Sequence, residues 1–162
     1  MSGSIGIDEK LSLEEKYALL HKQLVSLLTR EENLLSNLSN FTAALKQTFD
    51  KISWVGFYLN DGQKLYLGPF QGKVACTRIE IGKGVCGTAA EKRKTIIVED
   101  VDKFPGHIAC DPESRSEIVI PIIKNEELFG VLDVDSRSLN SFNSTDQKFL
   151  EKYCTFLSSE II

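Results

Sequence analysis

Apolar residues recur at helical spacing through the first third of the chain. Leu13, Tyr17, Leu20, Leu24, Leu27 and Leu28 form one stripe; Leu34, Leu35, Leu38, Phe41, Leu45 and Phe49 form a second. This period predicts one helix from about Ser12 to Thr29 and another from about Arg30 to Asp50, each with a core-facing side. Ser12 with Glu15 is a capping box, because the hydroxyl can accept from the third helical N–H while the glutamate reaches back. The period changes to two at Ile52. Ile52 to Leu59 is β-branched and aromatic, Asn60-Asp61-Gly62 closes it as a hairpin turn, and Gln63 to Leu67 returns. Trp54, Gly56 and Tyr58 share one face of the first strand, and Val55, Phe57 and Leu59 share the other.

Beyond the hairpin, Gly68 to Gly72 reads as loop from its Gly and Pro, and Arg78 to Ile81 alternates as a strand. A Gly-rich turn, Gly82-Lys83-Gly84, leads into a helix ending near Arg93, and Thr95 to Val98 is a short strand. Ile118 to Ile123 is a strand carrying Pro121, which places it at an edge or at a bulge. Leu128 to Asp135 is the last strand. Ser144-Thr145-Asp146-Gln147 is a second capping box, opening a final helix whose apolar side is Phe149, Leu150, Tyr153, Leu157 and Ile161. Cys154 lies beside that stripe as a packing residue.

Composition narrows the class. The 162 residues suit one domain around one core, and 42% hydrophobic with 26% charged residues is the balance of a soluble globular protein. A net charge of −4 forces no basic face and argues against a nucleic-acid partner. The first 17 residues hold no apolar core of signal-peptide length, and no run is long enough to span a bilayer. The expectation is a cytoplasmic protein without a membrane partner. There, cysteines at 76, 86, 110 and 154 are not expected to form a structural disulfide framework.

The candidate chemistry centres on Gly106 to Ile120, GHIACDPESRSEIVI. It places Cys110 on a polar loop and Glu117 at the mouth of a strand, a thiol and a carboxylate seven positions apart. The alternative is a surface loop with an incidental cysteine. Asp133 and Asp135 are two apart on the last strand and point to one face, where their charges repel unless a cation lies between them. The other reading is a solvated strand face. Trp54 and Tyr58 about Gly56 fit the wall of a small pocket, or equally the packed helices. Cys86 falls near a helix N-terminus, where the dipole favours a thiolate.

Three chemistries compete for these groups. Structural zinc favours ligands two to four apart, and only His107-x-x-Cys110 has that spacing. A thiol–imidazole pair would use His107 or His21 as base, with no obvious geometry for it. Thiol redox chemistry needs neither, and it accounts for more than one thiol in loops or at a helix start.

The segments Trp54-Val55-Gly56-Phe57-Tyr58, Gly68-Pro69-Phe70-Gln71-Gly72 with Ala75-Cys76, and Gly82-Lys83-Gly84-Val85-Cys86-Gly87-Thr88-Ala89 match a known family in order. So do Gly106-His107-Ile108-Ala109-Cys110-Asp111, Ser116-Glu117-Ile118-Val119 and Gly130-Val131-Leu132-Asp133-Val134-Asp135-Ser136. From about Tyr17 onward the chain resembles the free methionine-(R)-sulfoxide reductases, which are single GAF domains. The resemblance implies an α+β fold: a six-stranded antiparallel sheet with the N- and C-terminal helices packed on one face and a closed ligand pocket on the other. The implied division is a flexible tail over residues 1–11 and one GAF domain over 12–162.

The resemblance further implies Cys110 as nucleophile, Cys76 as resolving thiol and Cys86 as an auxiliary or alternative resolver. Glu117, Asp133 and Asp135 would line the pocket, with Trp54 and Tyr58 as its aromatic wall. The implied reaction reduces free methionine-(R)-sulfoxide through a cysteine sulfenic acid and a disulfide. No metal or bound cofactor is expected, and an external dithiol, thioredoxin with NADPH, restores the thiols. GAF domains often pair through their terminal helices, so a homodimer is compatible with it. The alternative from another class is a non-enzymatic GAF sensor of a small molecule. Such domains usually sit beside an output domain, for which this length leaves no room.

Overall fold

The computed structural model describes residues 4–162. Helices α1 (Leu13–Leu27) and α2 (Leu34–Thr48) lead into strands β1 (Trp54–Asn60), β2 (Lys64–Gln71) and β3 (Arg78–Glu80). Helix α3 (Gly84–Lys92) and strand β4 (Ile96–Val98) follow, then β5 (Ser116–Lys124), β6 (Glu127–Ser136) and helix α4 (Ser144–Phe156). The strands form one antiparallel sheet in the order β3-β2-β1-β6-β5-β4, as expected for the α+β architecture.

Strict alternation divides the sheet's two faces. Val55, Phe57, Ile118, Ile120, Leu132 and Val134 face a large core made with α1, α2 and α4. Trp54, Tyr58, Val119 and Val131 face the other way, into a smaller cluster with Val85, Cys86 and Ala89 of α3. Trp54 and Tyr58 therefore turn away from the terminal helices. Cys154 packs in the large core, as its stripe position suggests. Gly56 makes room on the opposite face: a β-carbon there would stand 2.5 Å from the Trp54 ring. That ring stacks on Phe70 at 5.4 Å and on Tyr58 at 6.0 Å between centroids.

Several boundaries differ from the sequence reading, each for a local reason. Helix α2 starts at Leu34 rather than near Arg30, because the Asn33 side chain accepts from the Leu35 N–H at 2.9 Å and caps it there. The buried Asn37 donates to the Thr29 carbonyl at 2.7 Å and fixes the intervening turn. Leu35 of the expected stripe is exposed. The last helix is capped by Asn143, one residue earlier than expected: its side chain accepts from Thr145 and Asp146, and Asp146 accepts from the Asn143 N–H.

Strand β2 runs through the expected loop at Gly68-Pro69 to Gln71. The pairing slips between Gly56↔Phe70 and Tyr58↔Leu67, so Gly68 and Pro69 occupy a bulge, where a missing N–H is tolerated. Pro121 lies inside the sheet, yet β4 pairs only with residues 117–119, so at Pro121 the strand has a neighbour on the β6 side alone. Part of the expected flexible tail, residues 1–3, lies outside the described residues. From there on, Ile5 and Ile7 pack against the core, and Gly6 exchanges two hydrogen bonds with Gln23.

One buried acid ties the helical layer together. Asp146, with no exposed surface, accepts from Tyr17 Oη of α1 at 2.7 Å, from Lys51 Nζ at 2.7 Å and from the Asn143 N–H at 2.8 Å. Removing a partner from such a buried set leaves the others unpaired. Asp146→Ala is expected to lower the free energy of unfolding by about 3 kcal/mol, measured by chemical denaturation.

Candidate active site

Register across the central strands builds the floor of a cavity on the sheet face away from the terminal helices. Glu117 of β5 pairs with Asp135 of β6, which pairs with Trp54 of β1, so these three side chains form one row. The next row is Val119, Asp133 and Gly56. All three acids thus emerge on one face, with apolar neighbours on either side. Glu117 and Asp133 are only 5% and 6% exposed, and Asp135 is half-buried.

Two loops roof this floor. The segment 72–77 between β2 and β3 carries Cys76, and the segment 104–115 before β5 carries Cys110. Cys76 and Cys110, 34 residues apart in the chain, are joined as a disulfide with 5.4 Å between their Cα atoms. Lys73 and Glu113 form an ion pair across the same two loops, and Arg137 Nη2 meets Glu113 Oε2 at 3.2 Å. Side chains from the strands hold the roof from below. Trp54 Nε1 donates to the Lys73 carbonyl at 3.0 Å, Tyr58 Oη to the Cys76 carbonyl at 2.9 Å, and Ser114 Oγ to Asp135 Oδ1 at 2.6 Å. The start of α3 closes one side. Gly84 has φ +62°, and a β-carbon there would stand 3.0 Å from the Ile108 side chain. The space between floor and roof is about 520 Å³, with the open solvent at its mouth included.

Every expected site residue except Cys76 lines this cavity directly: Trp54, Tyr58, Cys86, Cys110, Glu117, Asp133 and Asp135. Cys76 joins through its bond to Cys110 and through Ala75, a lining residue. Ser114 and His107 also line it, and the sequence reading gave Ser114 no role. The only signal for Ser114 was a hydroxyl in a polar loop three residues before Glu117.

Burial dominates the electrostatics. Glu117 is pushed well above the usual carboxylate range by burial, then by the charges of Asp133 and Asp135. Asp135 is raised by burial and by Asp133, against the Ser114 hydrogen bond. Asp133 is raised to about 6 by burial, with hydrogen bonds to Glu117 and Cys86 holding it down. Burial thus works against the charged form of all three acids, and most of all it favours the protonated form of Glu117, which the two aspartates also push up. Oδ1 of Asp133 is buried without a hydrogen-bond partner, an acceptor facing a cavity with nothing to accept from.

The thiol of Cys86 lies 3.9 Å from Glu117 Oε1 and is 4% exposed. Burial, then the nearby acids, pushes it well above the usual thiol range. The dipole argument for a thiolate fails here, because an acid-lined interior outweighs the helix terminus. His107 Nε2 is 3.9 Å from Glu117 Oε2, and burial lowers the imidazole's pKa while it raises the carboxyl's, so burial works against an ion pair between them. His21 is elsewhere, stacked on Tyr153. Cys86 Sγ and one oxygen each of Glu117 and Asp133 lie within 4.8 Å of one another, the one arrangement among the described residues that could hold a metal ion. It is not the His107–Cys110 pairing that the spacing singled out, since Cys110 is bonded to Cys76.

The Asp133 shift has a testable sign. Its folded-state pKa lies above the ordinary value, so the folded form gains from the proton below about pH 4 and loses that gain as pH rises through about 6. Asp133→Asn removes the buried charge. The variant is expected to be more stable than the parent by about 2–3 kcal/mol at pH 7.5 and equal to it at pH 4, compared by denaturant titration at both pH values.

With this geometry in place, comparison with known proteins is direct. The GAF domain family model matches residues 33–161. "GAF domain-containing protein A" of Dictyostelium discoideum is 54% identical over 151 residues, covering 93% of this chain and 95% of that protein. "Free methionine-R-sulfoxide reductase" of Saccharomyces cerevisiae is 42% identical over 166 residues, covering 98% and 92%. Among solved structures, the free methionine-R-sulfoxide reductase of Neisseria meningitidis in complex with its substrate superposes with a TM-score of 0.93 at 41% identity, covering 97% of this chain and 94% of that one. The chain belongs to the GAF domain family and, within it, to the free methionine-(R)-sulfoxide reductases.

Proposed function

We propose that this chain reduces free L-methionine-(R)-sulfoxide to methionine, with Cys110 as the nucleophile and Cys76 as the resolving thiol. The observation that carries the reading is the Cys76–Cys110 disulfide set at the mouth of an acid-lined cavity. A sensor would need the cavity but not the disulfide.

The substrate is a lone amino acid with an ammonium, a carboxylate and a polar S=O. Asp133 and Asp135 bind the ammonium, which satisfies the unpartnered Oδ1 of Asp133 and relieves the repulsion between the acids. Backbone N–H groups of the Cys110 loop take the carboxylate. Trp54 and Tyr58 present ring faces to the apolar part, since their polar ends are engaged by the roof. Glu117, still protonated, donates to the sulfoxide oxygen as the Cys110 sulfur attacks the substrate sulfur. The protonated oxygen then leaves the substrate sulfur for Cys110 as the new S–S bond breaks, so that thiol plus sulfoxide gives sulfenic acid plus methionine. The Cys76 thiol then displaces water from the sulfenic acid and forms the disulfide. Cys86, buried as a thiol beside Glu117, has an auxiliary part. The cycle uses no bound cofactor. A thioredoxin-type dithiol, kept reduced by NADPH in the cytoplasm, restores both thiols.

Thioredoxin, thioredoxin reductase, NADPH and the free sulfoxide test the reading. Cys110→Ser is expected to release no methionine at all. Cys76→Ser is expected to release about one equivalent per chain, because the sulfenic acid forms but has no partner. Glu117→Gln should lower kcat by about 10²–10⁴-fold with the fold intact, the usual worth of a positioned proton donor. Full activity in Cys110→Ser removes the proposed nucleophile.

A further inference from the structure

A disulfide made at every turnover has to be opened by a thiol from outside. The two remaining cysteines, Cys86 and Cys154, are buried as free thiols, and burial pushes both pKa values up, so neither is an internal reductant. The partner must bring a sulfur within bonding range of Cys76 or Cys110, so whatever surrounds those two residues on the surface is its landing ground.

That surface has a distinct composition. The large hydrophobic residues exposed among the described residues are Val25, Leu35, Tyr66, Val74, Ile108 and Leu139. Two of them stand two positions before a bonded cysteine: Val74 before Cys76 on one roof loop, and Ile108 before Cys110 on the other. Val74 is 88% exposed, the highest of the six, and Ile108 is 38% exposed. Both also line the cavity, each on the loop that carries one of the bonded cysteines. Lys73 of one loop and Arg137, just beyond β6, both pair with Glu113 of the other loop. Exposed apolar side chains beside a disulfide that must be reached from outside mark an interaction surface better than they explain folding.

We propose that Val74 and Ile108 form an apolar docking pad for a protein dithiol reductant whose attacking thiolate is itself ringed by apolar surface. The inference rests on the functional reading only in that the Cys76–Cys110 bond is turned over. The partner's thiolate attacks one sulfur of that bond. A mixed disulfide forms, and the other protein sulfur leaves as a thiolate and takes a proton. The partner's second thiol then attacks its own half of the mixed disulfide and frees the remaining cysteine. Two electrons and two protons pass to Cys76 and Cys110, and the partner leaves as a disulfide. A small dithiol follows the same chemistry without needing the pad.

This difference is the test. Val74→Ser, Ile108→Ser and the double variant are oxidised with diamide to the Cys76–Cys110 form. Their reduction is then followed with thioredoxin, kept reduced by NADPH and thioredoxin reductase, and separately with dithiothreitol. The expected result for the double variant is a tenfold or greater fall in kcat/KM for thioredoxin, while the dithiothreitol rate stays within about twofold, since each tenfold step corresponds to a modest loss of contact energy. Equal rates with thioredoxin, or parallel falls with both reductants, overturn the pad. A steep loss of the parent's thioredoxin rate between low and high salt also overturns it, because apolar docking is not screened. If the serine variants fail to fold, Val74→Thr keeps the branched shape, and it is expected to show the same selective loss. The oxidised protein is itself the substrate in this assay. A parent that accepts electrons from thioredoxin but makes no methionine would defeat the functional reading and leave the pad standing.

Discussion

Three carboxyl groups held away from bulk water on one sheet face constrain everything around them. Charging a buried carboxylate is costly, and charging three within reach of one another costs more. Burial accordingly favours the protonated forms: Glu117 and Asp135 are pushed well up, and Asp133 is raised to about 6. The proposed cycle uses two properties of that cavity, an unpartnered acceptor on Asp133 for a cation and a raised pKa on Glu117 for giving a proton. Both properties have the same cause, burial, and neither requires a metal. Such a site is less stable than an apolar one would be, a common cost where function needs strained electrostatics.

The sheet separates that cost from the rest of the molecule. Along β1, Val55 and Phe57 pack under the terminal helices, while Trp54 and Tyr58, one position away, build the cavity wall. The same alternation on β6 sends Leu132 and Val134 into the large core and Asp133 and Asp135 to the cavity. Stability is concentrated on one face, around Asp146 and the aromatic contacts of Tyr17 with Phe49, Phe149 and Tyr153. The other face is free to carry groups that a core would not tolerate.

Periodicity made much of this readable from residues alone. The shift from 3.6 to 2 at Ile52 marks the sheet, and the two-residue step from Asp133 to Asp135 puts both on one face. What stayed hidden depends on partners distant in the chain. Nothing local pairs Glu117 with Asp135, which is a matter of register between β5 and β6. Nothing local brings Cys76 to Cys110; motif resemblance supplied that pairing. Cys86 misled for the same reason: its helix terminus is visible in sequence, whereas the acids that surround it come from two other strands. Gly68-Pro69 looked like loop because a bulge uses the same residues as a turn.

In the proposed cycle Cys76 resolves the intermediate, and the roof is anchored by contacts other than its own sulfur. The 72–77 loop is tied to β1 by two hydrogen bonds, Trp54 to the Lys73 carbonyl and Tyr58 to the carbonyl of Cys76 itself. The 104–115 loop is tied to β6 through Ser114 and Asp135. None of these three anchors involves a sulfur atom. A sulfenic acid on Cys110 would then meet its partner thiol as an intramolecular neighbour, where effective concentration far exceeds that of any free thiol. In the proposed cycle, the side chains that shape the cavity wall thus also shorten the life of the sulfenic acid, which joins its binding and resolving halves in a single piece of packing.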